Sequence, residues 1–349
     1  MIHAMPKDIY KSDFNYQVPE ELIAKYPTAN RSDSKILSFA NGVFGINPFS
    51  KVKKFFQQDD LIVFNETKVF KARLLLQKDS GGKAEIFISK IKNKYTAECL
   101  TKGLNLQKKI QQLRSENFPL KIEIIEKDPN FVLIKFNQQV EHLCRTIGHV
   151  PIPPYLNRQD DETDKERYQT VFANKAFTDS VAAPTASLHF DEQLFKSITE
   201  EFKTTTVSLA VGLGTFKPLS DEPITESSSL HEEEFYISDE AAESMNQQLA
   251  KGKKIIAIGT TTLRALEAAW CCESKQIKSG KSSTNIFIKE GYEFKVVDTL
   301  ITNFHLPQSS LLMLVSAFSS KDFIFEAYKH AIENNLRFFS YGDAMIIER

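Results

Sequence analysis

Residues 254–268 read Lys254-Ile255-Ile256-Ala257-Ile258-Gly259-Thr260-Thr261-Thr262-Leu263-Arg264-Ala265-Leu266-Glu267-Ala268. The near-continuous apolar run Lys254–Ile258 predicts a strand covered on both faces, as in a parallel sheet. Gly259 and three threonines form the turn, and Leu263–Cys271 predicts the helix that follows. The same order recurs nearby. Thr205–Val211 is a predicted strand leading into Gly212-Leu213-Gly214. Asp191 caps a helix whose apolar face is Leu194, Phe195, Ile198 and Phe202. Ser238 opens another, with Asp239 and Glu240 in its first turn and Gly252 beyond its end. Pro307 is expected to begin the helix carrying Leu311–Val315. Strands alternating with helices predict a layered α/β domain on a largely parallel sheet.

Residues 71–150 break this rhythm. Ala84–Ile88, Tyr95–Leu100, Leu120–Ile125 and Phe131–Phe136 are short β-branched or aromatic runs. Gly81-Gly82, Lys102-Gly103 and Asp128-Pro129-Asn130 separate several of them, the spacing of a small β-barrel or sandwich. The expected organisation is one large α/β domain from residues 1–70 and 151–349, with a β-barrel domain inserted at 71–150. Near the N-terminus, Pro19, Glu20 and Glu21 start a short helix that Lys25-Tyr26-Pro27 ends. Asp160–Asp164 is read as a solvated loop.

Composition bounds the function. The chain has 349 residues, 42% hydrophobic and 26% charged, an ordinary globular balance. No apolar run reaches the ~18 residues of a membrane span. With no signal-peptide pattern at the N-terminus, the cytoplasm is the expected compartment. The four cysteines lack the spacings of a disulfide framework or zinc site, and no metal is expected. The net charge of −1 hides an asymmetry: residues 71–150 carry 15 Lys+Arg against 8 Asp+Glu, and the rest 29 against 37. A basic segment in an acidic chain can bind a polyanion. On composition alone, a solvated lysine-rich face is the preferred reading.

In an open α/β sheet, ligands bind beyond the carboxyl ends of the strands. Gly259, Thr260, Thr261 and Thr262 offer helix N–H groups and hydroxyls to an anion, and Arg264 adds a charge-assisted contact. Simple helix capping by those hydroxyls is the competing reading. Gly212, Gly214 and Thr215 repeat the idea more weakly, without the spacing of a dinucleotide fold or a phosphate loop. His189, His231 and His305 are candidate bases, because imidazole titrates near neutrality. A structural hydrogen-bonding role suits each equally. Neither HExxH nor GxSxG occurs.

Eight blocks in order resemble one family: Leu22–Pro27 (LIAKYP), Leu61–Thr67 (LIVFNET), Arg167–Thr170 (RYQT), Val181–Phe190 (VAAPTASLHF), Val211–Phe216 (VGLGTF), Ile258–Arg264 (IGTTTLR), Leu300–Pro307 (LITNFHLP) and Phe339–Met345 (FSYGDAM). They are similar to those of the S-adenosylmethionine:tRNA ribosyltransferase-isomerases of queuosine biosynthesis, and they span nearly the whole chain. The resemblance implies a large α/β domain with an inserted β-barrel. It also implies transfer and isomerisation of the ribosyl part of S-adenosylmethionine onto 7-aminomethyl-7-deazaguanine at the tRNA wobble position. The products that the resemblance implies are epoxyqueuosine-tRNA, adenine and methionine.

On that reading Gly259–Thr262 and Arg264 hold the methionine carboxylate or the ribose hydroxyls. His189, His231 and His305 move protons, and Thr302, Asn303 and Asp343 orient substrate. Arg73, Lys90, Lys92 and Lys94 of the basic segment meet the anticodon arm. The expected assembly is a monomer without membrane contact, using no cofactor beyond the ribosyl donor. The chain departs from the family pattern at Ala210, where histidine is usual, and at Ser187, Asn285, Glu290, Lys68 and Lys71. Ala210 opens an alternative, a divergent relative that binds S-adenosylmethionine or RNA without the full reaction. An S-adenosylmethionine methyltransferase is disfavoured, because the dinucleotide-type glycine turn is absent.

Overall fold

Three strands precede the basic segment: β1 (Lys35–Ala40), β2 (Val43–Pro48) and β3 (Leu61–Asn65). Seven lie within it: β4 (Arg73–Lys78), β5 (Lys83–Asn93), β6 (Thr96–Lys102), β7 (Ile110–Ser115), β8 (Phe118–Lys127), β9 (Val132–Phe136) and β10 (Gly148–His149). Eight follow: β11 (Lys203–Leu209), β12 (Glu233–Ile237), β13 (Ile255–Ile258), β14 (Trp270–Cys271), β15 (Gln276–Ile277), β16 (Gly280–Thr284), β17 (Thr299–Asn303) and β18 (Ala344–Glu348). This computed structural model describes residues 9–177, 180–212, 219–225 and 228–349.

Two compact units result. One comprises Met1–Thr67, Thr170–Asn174 and Pro184–Arg349; the other comprises Lys68–Gln169 and Lys175–Ala183. The second is longer than the span 71–150 expected from strand spacing. The reason is a polar knot after β10. His149 Nδ1 lies 2.8 Å from Asp160, whose other oxygen accepts the Val150 N–H, and Arg158 is paired to the buried Asp164. Asp161 caps the helix Glu162–Arg167 in a capping box. Asp160–Asp164 is therefore a helix start with buried partners, not the solvated loop its charge implied.

The first unit is built on a nine-stranded sheet in the order β16-β12-β11-β3-β13-β17-β18-β1-β2. Its centre, β11-β3-β13-β17, is parallel. Every residue of β3, β13 and β17 is buried, because helices cover both faces of a parallel sheet. The largely parallel expectation fails at the flanks. β12 and β16 pair antiparallel on one side; on the other, β18 runs antiparallel to β17. β1 and β2 form a hairpin through Asn41-Gly42, both at positive φ, as a tight two-residue hairpin turn requires. The helices Glu192–Glu201 and Asp239–Ala250 begin with Asp191 and Ser238 accepting backbone N–H bonds. Phe49, Phe64, Phe190, Ile198, Ile256 and Ile301 belong to one core cluster.

One helix start and one helix end differ from expectation. Pro307 precedes its helix, which is Ser310–Phe318 capped by Ser309, because Gln308 takes a left-handed φ of 57°. The turn after Pro19 is a 3-10 segment, Glu20–Leu22, and ends before Lys25.

The second unit is a closed antiparallel barrel. Its strands run β4-β5-β6-β9-β8-β7, and β7 pairs back to β4. Alternate residues point inward, so Leu74, Ile86, Ile88, Cys99, Ile122 and Ile134 form its core. No helix among the described residues is long and apolar enough to cross a membrane.

Candidate active site

Gly259–Thr262, Arg264, Thr302 and Asn303 gather where β13 and β17 end, beside the ends of β3 and β11. Asn65, the last residue of β3, ties these ends together. Its side-chain amide N–H groups donate to the Leu209 carbonyl (3.1 Å) and to Thr261 Oγ1 (3.2 Å), and its oxygen accepts the Leu209 and Thr67 N–H groups. At the end of β13, Gly259 has φ 92°, a conformation that favours glycine. The helix then begins at once as Thr260–Ala269, three residues earlier than the sequence predicted, so the threonines are its first turn. Thr262 Oγ1 donates to the Ile258 carbonyl at 2.7 Å. That hydroxyl proton is therefore used on the local backbone, the capping-type alternative, and Thr260 is buried in the same turn.

Arg264, one turn on, is buried and paired through Nη1 to the buried Glu233 of β12. Glu233 also accepts the Gly212 N–H at 3.1 Å. The Arg264 atoms Nε and Nη2 are buried with no hydrogen-bond partner among the described residues. These two donors form one edge of the guanidinium, the edge that grips a carboxylate in two parallel bonds. Arg73 uses that edge on Glu85 in the barrel, at 2.7 and 3.2 Å. A buried donor left unmade costs ~1–3 kcal/mol, so the empty edge of Arg264 favours an incoming anion.

At the end of β17, Asn303 is buried. One amide N–H donates to the Phe339 carbonyl (3.1 Å) and the other points at His189 Nε2 (3.2 Å). His189 Nδ1 lies 2.8 Å from Ser34 Oγ, which donates to the Arg31 carbonyl. The chain of donors assigns the neutral imidazole with its proton on Nδ1. Burial, with Arg337 and Arg31 adding to it, pushes the His189 pKa down to about 3. Both ring nitrogens are occupied, so His189 fixes the orientation of Asn303. Asn303 Oδ1 is left as a buried acceptor without a partner among the described residues.

His305 is buried as well. Its amide donates to the Tyr328 hydroxyl (2.8 Å), its carbonyl accepts from the Tyr16 hydroxyl, and Nε2 faces Thr302 Oγ1 at 3.1 Å. Burial lowers its pKa to about 3. Asp343 accepts the Lys35 and Arg337 N–H groups at 2.7 Å each, one on each oxygen, and burial raises its pKa. Its carboxylate, just ahead of β18, ties that strand's start to β1 and to the Arg337 backbone.

His231 is exposed just ahead of β12, outside the buried network. Gly212 adjoins Glu233, while Gly214 and Thr215 lie outside the described residues. In the barrel, Arg73 and Lys92 are engaged by Glu85 and Glu98, and Lys90 and Lys94 are exposed. Ser34, Asn65 and Glu233 escaped the sequence reading. Glu233 lay hidden in Glu232-Glu233-Glu234, and only its place on β12 opposite Arg264 distinguishes it. Among the described residues no cluster of His, Cys, Asp or Glu can hold a metal ion.

A parallel sheet whose strand ends converge on a helix N-terminus, buried orphan donors and neutral imidazoles, together with a separate barrel, defines a two-unit α/β enzyme. Comparison sharpens that class. The profile of a family described as queuosine biosynthesis protein matches residues 11–347. The chain is 44% identical over 342 residues to the S-adenosylmethionine:tRNA ribosyltransferase-isomerase of Acinetobacter baumannii, covering 97% of this chain and 98% of the relative. The enzyme of the same name from Nitrosomonas eutropha is 42% identical over 340 residues, covering 96% and 97%. The crystal structure of a Thermotoga maritima S-adenosylmethionine tRNA ribosyltransferase is similar with a TM-score of 0.53 and 28% identity, covering 96% of this chain and all of that one. The chain belongs to this queuosine biosynthesis family and is a transferase-isomerase.

Proposed function

We propose that the protein transfers and isomerises the ribosyl moiety of S-adenosylmethionine onto 7-aminomethyl-7-deazaguanine at the wobble position of tRNA, giving epoxyqueuosine-tRNA and releasing adenine and methionine. The full-length match to relatives bearing the ribosyltransferase-isomerase name carries this reading. The buried Nε–Nη2 edge of Arg264, without a partner among the described residues, supports it as a site for the methionine carboxylate. The N–H groups of the helix starting at Thr260 add to that attraction. Asn303 Oδ1 accepts from a ribose hydroxyl. The sulfonium acidifies the neighbouring 5′ carbon, and His305, neutral at pH 7, is positioned to take part in proton transfer. His189 acts through Asn303. The scheme uses no metal and no cofactor beyond the ribosyl donor, and we place the enzyme in the cytoplasm as a monomer.

Ala210, at a position where the resemblance implies histidine, favours a second reading in which the chain binds its ligands without turnover. Incubation with S-adenosylmethionine and precursor-bearing tRNA separates them. Stoichiometric adenine and methionine release is expected. Binding without release would establish the second reading, and S-adenosylhomocysteine would mean methyl transfer instead.

A further inference from the structure

The barrel unit carries a groove of about 490 Å³ that none of the residues discussed so far explains. Lys71, His149 and Lys165 line it with Phe118; Glu116 is the one carboxylate among the lining residues, and Asp160 and Glu162 contact His149 and Lys165. Its floor is tightly built. A Cβ on Gly148 would lie 2.3 Å from both the Lys71 and Cys144 carbonyl oxygens, so β10 is pressed against Lys71 as only glycine allows. Lys71 has no partner for its ammonium group among the described residues, and Lys165 reaches only the exposed Glu162, at 2.5 Å. The imidazole of His149 is held through Nδ1 by Asp160, which leaves Nε2 for a ligand. Phe118 opens β8 half-buried, packed against the barrel core on one side.

We propose that this groove binds a single-stranded stretch of the RNA substrate, with two phosphodiesters between Lys71, Lys165 and His149 and one base against Phe118. The proposal rests on the tRNA reading above and places a contact at residues that reading does not use. Phosphate neutralisation by lysine and stacking on an aromatic ring are the two general ingredients of single-strand binding. The local excess of basic residues in 71–150 supplies the sign of the field.

The test is tRNA affinity as a function of KCl concentration for Lys71→Gln with Lys165→Gln, for Phe118→Leu, and for Lys329→Gln as an exposed control in the other unit. Loss of two phosphate contacts should flatten the log–log salt slope by about 1.4–1.8 and raise Kd at least about tenfold near ~0.1 M salt. Phe118→Leu keeps an apolar side chain against the core. It should raise Kd by about fivefold or more with the slope unchanged. Slopes and affinities equal to wild type in the groove variants would overturn the proposal, as would equal flattening by Lys329→Gln. Competition by inorganic phosphate as effective as that by an oligonucleotide, at equal phosphate concentration, would assign the groove to a free anion and overturn it too. Adenine release by the wild type is measured alongside. Turnover with indifferent groove variants removes the groove alone; RNA binding through the groove without turnover removes the enzymatic reading alone.

Discussion

Arg264 combines two demands in one side chain. Nη1 neutralises Glu233 inside the protein, and the opposite edge is buried without a hydrogen-bond partner among the described residues. Lysine at 264 would keep a charge beside Glu233 but lose the fork. Because hydrogen bonds to charged groups contribute ~1.5–3 kcal/mol, Arg264→Lys should weaken S-adenosylmethionine binding by about one to two decades. Titration calorimetry measures this, and affinity equal to wild type would place the carboxylate elsewhere. Arg264→Ala is a different experiment: it strands a buried carboxylate and should cost ~3–5 kcal/mol of stability.

His189 and His305 set a pH dependence. Their folded pKa values, about 3, lie below the ordinary value of 6.5, so the folded state favours the neutral rings. The folded protein thus binds fewer protons than the unfolded chain as pH falls below 6.5. Their stabilising contribution is present in full above 6.5 and is lost progressively between 6.5 and 3. The urea midpoint should fall with pH across that window, and less steeply in His305→Gln. An identical slope in that variant would show that His305 is not held neutral by burial.

At the scale of elements, the turn and the helix after β13 are one device. Gly259→Ala meets only ordinary contacts at 3.6 Å, yet must hold φ near 92°, so its cost should be conformational, ~1–2 kcal/mol. Gly342→Ala is the contrast. Its Cβ would lie 2.5 Å from the Arg337 oxygen and the Phe338 carbonyl carbon, both backbone atoms that cannot yield cheaply. Urea unfolding should therefore rank Gly342→Ala as the more destabilising of the two. These elements also mark how far the sequence could be read. The β13 run and the caps at Asp191 and Ser238 were legible because their causes lie within a few residues. The Asn41-Gly42 hairpin turn is equally local, its signal confined to two residues. Ser34 and His189 are 155 positions apart, and Asn65 and Thr261 are 196 apart. Such pairs are set by strand order, which apolar periodicity does not encode. The same gap hid the antiparallel flanks of the sheet, since burial of both strand faces is indifferent to direction.

For the whole molecule the decisive quantity is where charge sits. A chain of net charge −1 attracts RNA only through a local excess, and residues 71–150 hold one of 15 basic against 8 acidic side chains. Not every cation there is equally available. Arg73 is gripped through two nitrogens by Glu85, and Lys92 lies 3.0 Å from Glu98. A phosphate must displace those carboxylates, which cancels much of the counterion gain. Lys94, exposed on the turn after β5, has no ion pair among the described residues. Lys94→Gln should therefore flatten the salt dependence of tRNA binding by about 0.7–0.9 in log–log slope, whereas Arg73→Gln should move it by less than about half of that. Equilibrium binding between ~50 and ~300 mM KCl resolves the two, because a single phosphate contact changes affinity about fourfold across that range. Equal effects would mean that the Glu85 pair opens at no cost when RNA arrives. A reversed order would move the contact from the Lys94 turn to the face that Arg73 shares with Glu85.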